Sequence, residues 1–339
     1  MSDKKQISIK YFRGDQSACW GYRINNPLAE ISKNCCNYKI AVTDRIHEKN
    51  DLYGIDVAVF QRQYSRKVFE DMLNMRRAGI KCVYETDDNL LNVPAWNPAS
   101  SVFKDNNFKN ENIIENIKYF VSNVDAIFVT TEVLAEAYRP YNENVYILPN
   151  SINFDHYFQK PNNSTRKVVL WQGSYSHKKD IALIEPALKQ LVNDKDVLVK
   201  IFDFPIKVKG VCRVPSVPYN AFYQMLAQLD GYIGLAPLTT TPFNKYKSNI
   251  KFLEYTASNM LTIASAFGPY ANTIEHEKTG ILVADNKDWY YWVRKMLTEE
   301  SEYVRILGNA KEFVKANYDI SKNWVLWKNA FEKILGVVS

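Results

Sequence analysis

Between Pro242 and Ala264 the chain reads PFNKYKSNIKFLEYTASNMLTIA. Apolar residues at Ile250, Leu253, Tyr255 and Ala257, with Phe252 beside them, recur loosely at helical spacing from Lys247 to Ser258. Leu261 to Ala264 then suits a short buried strand. Lys247, Ser248 and Asn249 open the helix, and Ser and Asn are natural N-caps. A helix start points unpaired N–H groups outward, and with lysines nearby it attracts anions, phosphate above all. Lys251 adds a second charge in that first turn. Glu254 follows among mostly apolar neighbours. A carboxylate at that distance can accept two hydrogen bonds from a pair of sugar hydroxyls. A phosphate cradle followed by a hydroxyl clamp describes a nucleotide-sugar site. The same pattern also fits an ordinary capped helix.

The elements that must position this stretch alternate between strand and helix. Gln6 to Phe12, Tyr38 to Thr43, Asp56 to Phe60, Ile80 to Tyr84, Ala126 to Val129 and Val145 to Leu148 read as strands. Helices from Ser65 to Ala78, Ile113 to Asn123 and Thr131 to Tyr138 lie between them. Such alternation predicts a doubly wound parallel sheet. A second half repeats it, with strands at Lys167 to Gln172, Val197 to Phe202, Tyr232 to Ala236 and Gly280 to Val283, and helices at Ile181 to Val192 and Asn220 to Gln228. Helices from Lys287, Glu300 and Ser321 fill the end. The fold class expected is therefore α/β, with two Rossmann-like doubly wound domains. Their expected spans are 1–160 and 166–318, joined by a linker within 151–166, with a final helix in 319–339.

In such sheets, ligands bind at the carboxyl ends of the strands. Gly14, Gly21 and Arg23 fall in the loop after the first strand, and Arg62 follows the third. Asp87 and Asp88 come just after the fourth, next to Glu85. Carboxylates past a buried strand are costly unless they meet water, a ligand or a cation. They serve either as turn formers or as groups facing an acceptor. The loop GSYSHKKD, with Gly173, Ser174, His177 and Lys179, opens the second half. The segment 89–112, rich in Pro, Asn and Ser, reads as a loop in which Trp96 and Phe103 could cover an acceptor.

Bulk properties set limits. The chain has 339 residues, enough for two domains, and 46% of them are hydrophobic. A net charge of +6 is compatible with an anionic ligand, nucleic acid or an acidic surface and selects none of them. The 5 cysteines form neither CxxC pairs nor metal-ligand spacings, which suits reduced thiols in the cytoplasm. No apolar run approaches the ~18 residues a membrane span requires.

Several segments resemble one family. FNKYKSNIKFLEYTASNMLTIASAFGPY and TGILVADNKDWYYWVRKML resemble the nucleotide-diphosphate segment of family 4 glycosyltransferases, also called group 1. WQGSYSHKKD resembles the glycine-rich loop that opens their C-terminal domain. Weaker likenesses are SACWGYRINNPL, VFQRQ, YETDDNLLNVP and VTTEVLAEAY. The resemblance implies the GT-B fold, with two domains facing across a cleft and a C-terminal helix packing back on the N-terminal domain. It implies that Glu254 binds the donor ribose and that the backbone at Ser248, Asn249 and Ile250 holds the diphosphate. Lys247, Lys179 and Lys251 would supply charge, and Gly173, Ser174, His177 and Tyr246 would line the donor. Tyr246 stands where the family has the first Glu of its paired-Glu motif, and Ser174 where it has an Arg. Gly14, Arg23 and Arg62 would face the acceptor, with Asp87 and Asp88 beside them as acceptor-side or catalytic carboxylates.

The implied activity is transfer of a sugar from a nucleotide-diphosphate sugar, a UDP-sugar by expectation, to a hydroxyl. Retention of configuration, independence of metal and no other cofactor are expected. The acceptor is left between a cell-surface glycan and a hydroxymethylated pyrimidine in DNA, as in bacteriophage enzymes; lipid and protein also stay open. A GT-B nucleotide-sugar epimerase, or a binding protein that transfers nothing, is the alternative.

Overall fold

A computed structural model describes residues 6–14, 18–44, 54–97, 100, 112–157, 166–202 and 204–337. The chain divides into two compact units. The first comprises Met1–Ser151, Tyr246–Ser248 and Ile320–Ser339, and the second Ile152–Lys245 and Asn249–Asp319.

In the first unit, β1 (Ile7–Phe12), β2 (Tyr38–Thr43), β3 (Val57–Gln61), β4 (Lys81–Glu85), β5 (Ala126–Val129) and β6 (Val145–Ile147) form one sheet in the order β2-β1-β3-β4-β5-β6. Every pairing is parallel. The sequence VAVFQ of β3 is buried throughout, as is AIFV of β5. A parallel sheet covered on both faces requires such unbroken runs. Alternate residues serve opposite faces: Val57 and Val59 join one core cluster, Ala58 and Phe60 the other. Helices Arg66–Arg77, Ile113–Asn123 and Glu132–Tyr138 start where Ser65, Asn112 and Thr131 accept from backbone N–H groups one turn on. The last helix, Ile320–Leu335, lays Trp327 and Phe331 against the face built from Ile9, Tyr11 and Phe128. The expected return of this helix to the first unit is thus present.

In the second unit, β7 (Lys167–Gln172), β8 (Val197–Phe202), β9 (Cys212–Val214), β10 (Gly231–Ala236), β11 (Leu261–Ser265) and β12 (Ile281–Val283) form a parallel sheet in the order β12-β11-β10-β7-β8-β9. Its core gathers Trp171, Ile201, Leu235, Ile263 and Trp289. Both units are therefore doubly wound α/β sheets. Local boundaries differ from expectation in several places. Gly21 and Arg23, expected in the loop after the first strand, lie in a helical stretch that runs from Ala18 to Asn34. Pro186 splits the helix expected over 181–192 into Lys178–Ala182 and Glu185–Leu191. The edge strand β9 is mostly exposed and so carries no apolar signal. Strand β4 runs one residue further, through Glu85, which is completely buried.

That buried carboxylate is neutralised from the other side of the sequence. Arg23 is fully enclosed, donates to Glu85 Oε1 at 2.6 Å and to the carbonyl of Leu148, and lies 5.4 Å from the ring centre of Trp327. Removing Arg23 leaves the buried Glu85 carboxyl and the Leu148 carbonyl without their donor, at a cost of about 1–3 kcal/mol. Arg23→Ala is expected to lower the unfolding free energy by that order in urea titrations. Burial pushes the Glu85 carboxyl up to about 7, against the opposing pull of Arg23. The folded chain then keeps a proton that the unfolded chain releases near 4.5. Between those values folding binds more protons, so stability falls as pH rises through the window. Glu85→Gln is expected to flatten that slope when urea midpoints are compared across it.

Candidate active site

In the second sheet the chain leaves β7 toward β8 and β9 on one side. It returns for β10 and continues to β11 and β12 on the other. The loops after β7 and β10 therefore diverge, and a crevice for ligands forms where the direction of winding reverses. Both loops carry polar residues singled out by the sequence.

Tyr255 fixes the geometry between these strands. Its hydroxyl accepts from Gln172 N and donates to the Leu235 carbonyl, both at 3.1 Å. A Cβ on Gly234 of β10 would collide with the Tyr255 ring, so only glycine allows this approach. Gly173 is enclosed for a similar reason, since an added Cβ would lie 2.8 Å from the Trp171 ring. On the helix Ile250–Ala257, Lys251 and Glu254 stand one turn apart on one face. Glu254 Oε2 accepts from Gln172 Nε2 at 2.6 Å, and Lys251 Nζ lies 3.2 Å from His177 Nε2. The loop after β7 is thus tied to this helix at both of its ends. Glu254 is only 3% exposed. The carboxylate expected to meet sugar hydroxyls is therefore buried, with Gln172 as a partner.

His177 Nδ1 lies 2.8 Å from Asp180 Oδ2. Asp180 Oδ1 accepts from Thr239 N at 2.8 Å, Thr239 Oγ1 at 2.7 Å and Asn244 Nδ2 at 3.2 Å. Burial alone raises the Asp180 carboxyl, yet the bonds from His177 and Thr239 outweigh it and hold the group below its ordinary value. The carboxylate is ionised and draws the two loops together. Ser174 is exposed and its hydroxyl meets Ser176 at 2.9 Å. Lys179 is exposed on the short helix Lys178–Ala182. The helix expected from Lys247 begins at Ile250. Asn249 occupies its N-cap position, but the side chain donates to Thr273 Oγ1 at 3.3 Å and leaves the helix N–H groups uncapped by it.

The remaining residues belong to the first unit. Lys247 Nζ reaches Asp88 Oδ1 at 2.8 Å and Oδ2 at 3.1 Å. Arg62 pairs with both carboxylates, Nε to Asp87 at 2.8 Å and an Nη to Asp88 at 2.7 Å. Arg62 adopts φ +51, a left-handed conformation uncommon outside glycine. Strain of this kind persists where surrounding contacts over-determine it. The backbone N of Gly14 donates to Gln61 Oε1 at 3.2 Å, which joins the ends of β1 and β3 at the winding reversal of this sheet. Ser248 Oγ accepts from Asn150 Nδ2 at 3.1 Å, and Tyr246 packs against the core cluster that includes Phe120 and Tyr138. Lys247 and Lys179, expected to act together, thus lie in different units. Arg23 was expected to face an acceptor. Its side chain has no exposed surface, because its guanidinium is consumed in neutralising Glu85.

Gln172, Asp180, Thr239, Asn244 and Tyr255 organise the second unit's site without standing out in the sequence. Only Asp180 carried a usable signal, its i,i+3 spacing from His177. Most of the loop 89–112, including Phe103, lies outside the described residues; Trp96 is described and half-buried. Among the described residues no group of His, Cys, Asp and Glu could hold a metal ion, and no helix is long and apolar enough to cross a membrane.

No family model and no curated protein matches the sequence. Solved structures do. Anabaena HepE, solved with UDP and glucose, superposes with a TM-score of 0.70 at 10% identity, over 97% of this chain and 100% of that one. The fold is GT-B. Sucrose-phosphate synthase from Thermosynechococcus elongatus gives 0.68 at 12% identity, over 99% and 100%. A Listeria monocytogenes protein described as a putative UDP-N-acetylglucosamine 2-epimerase gives 0.61 at 8% identity, over 99% and 98%. This GT-B chain keeps Tyr255 between β7 and β10 by means of Gly234. Gly234→Ala overpacks that contact and is expected to lower the unfolding free energy by about 1–3 kcal/mol, read from urea midpoints.

Proposed function

We propose that the chain is a glycosyltransferase that moves a sugar from a nucleotide-diphosphate sugar to a hydroxyl acceptor. The observation that carries this is the pairing of Lys251 and Glu254 on one helix face, tied to the loop after β7 where the sheet reverses its winding. A cation one turn ahead of a carboxylate suits a phosphate followed by a ribose. The likeness to HepE, solved with UDP and glucose, supports a uridine nucleotide as donor. Residues 166–318 then bind the donor and residues 1–160 the acceptor.

The chemistry asked of such a site is modest. As the glycosidic bond to the diphosphate breaks, negative charge grows on the leaving oxygens. Lysines and helix N–H groups aimed there stabilise it, usually the largest single contribution to catalysis. In a retaining transfer the leaving diphosphate can take the acceptor's proton on the same face, so neither a dedicated nucleophile nor a metal is required. Asp87, Asp88 and Arg62 at the strand ends of the first unit supply polar groups for an acceptor, either a glycan or a hydroxymethylated pyrimidine in DNA. Such a donor and cysteines that form no disulfide suit a cytoplasmic location. The epimerase reading is carried by the Listeria likeness alone.

Titration calorimetry with UDP-, ADP- and GDP-sugars is expected to show binding of one nucleotide class. Losing a hydrogen bond to a charged group costs ~1.5–3 kcal/mol, so Glu254→Ala should weaken that nucleotide about 10- to 100-fold. Lys247→Ala and Lys179→Ala should lower turnover, and a chelator should leave it unchanged. Binding to none of these donors refutes the proposal. Epimerised sugar formed without an acceptor would replace it with the second reading.

A further inference from the structure

Tyr11, Arg23, Gln61, Glu85 and Trp327 of the first unit have no exposed surface. Each carries a polar atom that finds no hydrogen-bond partner among the described residues: Tyr11 Oη, Arg23 Nη2, Gln61 Nε2, Glu85 Oε2 and Trp327 Nε1. Buried polar groups are nearly always paired, with protein or with ordered water, so such a set of exceptions calls for a reason. The fold gathers them. Tyr11 lies in register with Val59, and Val59 with Val83. Gln61 and Glu85 come two residues further along β3 and β4, opposite each other and on the same face. That face is the one covered by Ile320–Leu335, the helix that contributes Trp327. The Arg23 guanidinium lies 5.4 Å from the Trp327 ring centre and bonds Glu85 Oε1 through Nε. Burial first, and then the charge of Glu85, pushes the Tyr11 hydroxyl far above its ordinary value, with Arg23 opposing. The hydroxyl therefore stands near both members of the ion pair.

The chemistry of these atoms says what fits between them. An arginine and a carboxylate can meet at two points. Here only Nε and Oε1 meet, which leaves Nη2 and Oε2. Gln61 Oε1 is taken by the backbone N of Gly14, which leaves Nε2. Arg23 Nη2, Gln61 Nε2 and Trp327 Nε1 only donate, ionised Glu85 Oε2 only accepts, and Tyr11 Oη does both. With donors in excess, the set cannot satisfy itself. A small molecule that accepts from several donors and still donates to a carboxylate completes it. Water does so, whereas a halide has no proton to give Oε2. A proton on Oε2 would make it one more donor, and water accepts from that as well. We infer that the first unit encloses ordered water at the carboxyl ends of β1, β3 and β4, bridging Arg23 Nη2, Glu85 Oε2 and Tyr11 Oη. Internal waters typically make about three hydrogen bonds, and Gln61 and Trp327 offer more. Solvent is then a fixed part of the frame behind the strand end. The Glu85 carbonyl accepts from Arg62 N at 2.9 Å, and Asp87 and Asp88 follow directly. The inference stands apart from the sugar-transfer reading.

A crystal structure of the full chain, at a resolution that shows ordered water, tests it. A water peak within hydrogen-bond distance of Arg23 Nη2, Glu85 Oε2 and Tyr11 Oη is expected. Two-point contact between Arg23 and Glu85 with no such peak overturns the inference. So does an anion in that place, recognised by its anomalous signal after a bromide soak. Tyr11→Phe gives a readout in solution, since it keeps the ring and removes only the hydroxyl. Loss of a hydroxyl bonded to water destabilises, so the folding equilibrium constant should fall severalfold in urea titrations. A hydroxyl without any partner is itself destabilising when buried, and its removal would leave that constant unchanged or raise it, against the inference. Should Tyr11→Phe not fold, the wild-type crystal structure decides alone.

Discussion

All strands in both sheets run parallel, and both faces of each sheet are covered. That constraint governs the rest. A parallel strand covered on both sides carries polar groups mainly at its ends, because a polar group in its middle loses water and must find a partner. Chemistry is pushed to the carboxyl ends, and within each sheet to the place where the winding reverses. In the second unit that place lies between β7 and β10. Gln172 and Glu254, and the chain from Asp180 to Lys251, lie at this point. In the first unit it lies between β1 and β3, where Gly14 meets Gln61 and Arg62 turns back toward Asp87 and Asp88.

The two units treat buried charge in different ways. Glu85 and Arg23 neutralise each other inside the first unit, and no surface remains for anything else. This is a structural pair, and it fixes the strand end from which Asp87 and Asp88 emerge. Asp180 is also buried, but its partners include an imidazole whose far side meets a lysine. The first arrangement stays enclosed. The second reaches a cation through the imidazole.

Much of the fold was legible because its signals are strong and local. Runs such as VAVF in β3 and KVVLW in β7 read as buried strands, and Ser65, Asn112 and Thr131 mark true helix starts. The start near Asn249 misled, because Lys247 and Ser248 mimic a cap while the helix begins only at Ile250. Arg23 misled for a different reason. A loop arginine after a first strand looks like a ligand group, and only the distant Glu85 and Leu148 show that it is enclosed. Contacts separated by 62 and 125 residues leave no periodic trace. Gln172 and Tyr255 were unreadable on the same grounds, since their roles come from the 82- and 83-residue separations at which they meet Glu254 and each other.

The central claim is that the start of Ile250–Ala257 and Glu254 together hold a nucleoside diphosphate. The most direct measurement is a crystal structure of the chain with UDP bound. The expected result places the phosphates at Lys251 and the leading N–H groups of that helix, with the ribose hydroxyls within hydrogen-bond reach of Glu254. UDP bound away from this helix, or Glu254 still covered and touching only protein, would contradict it.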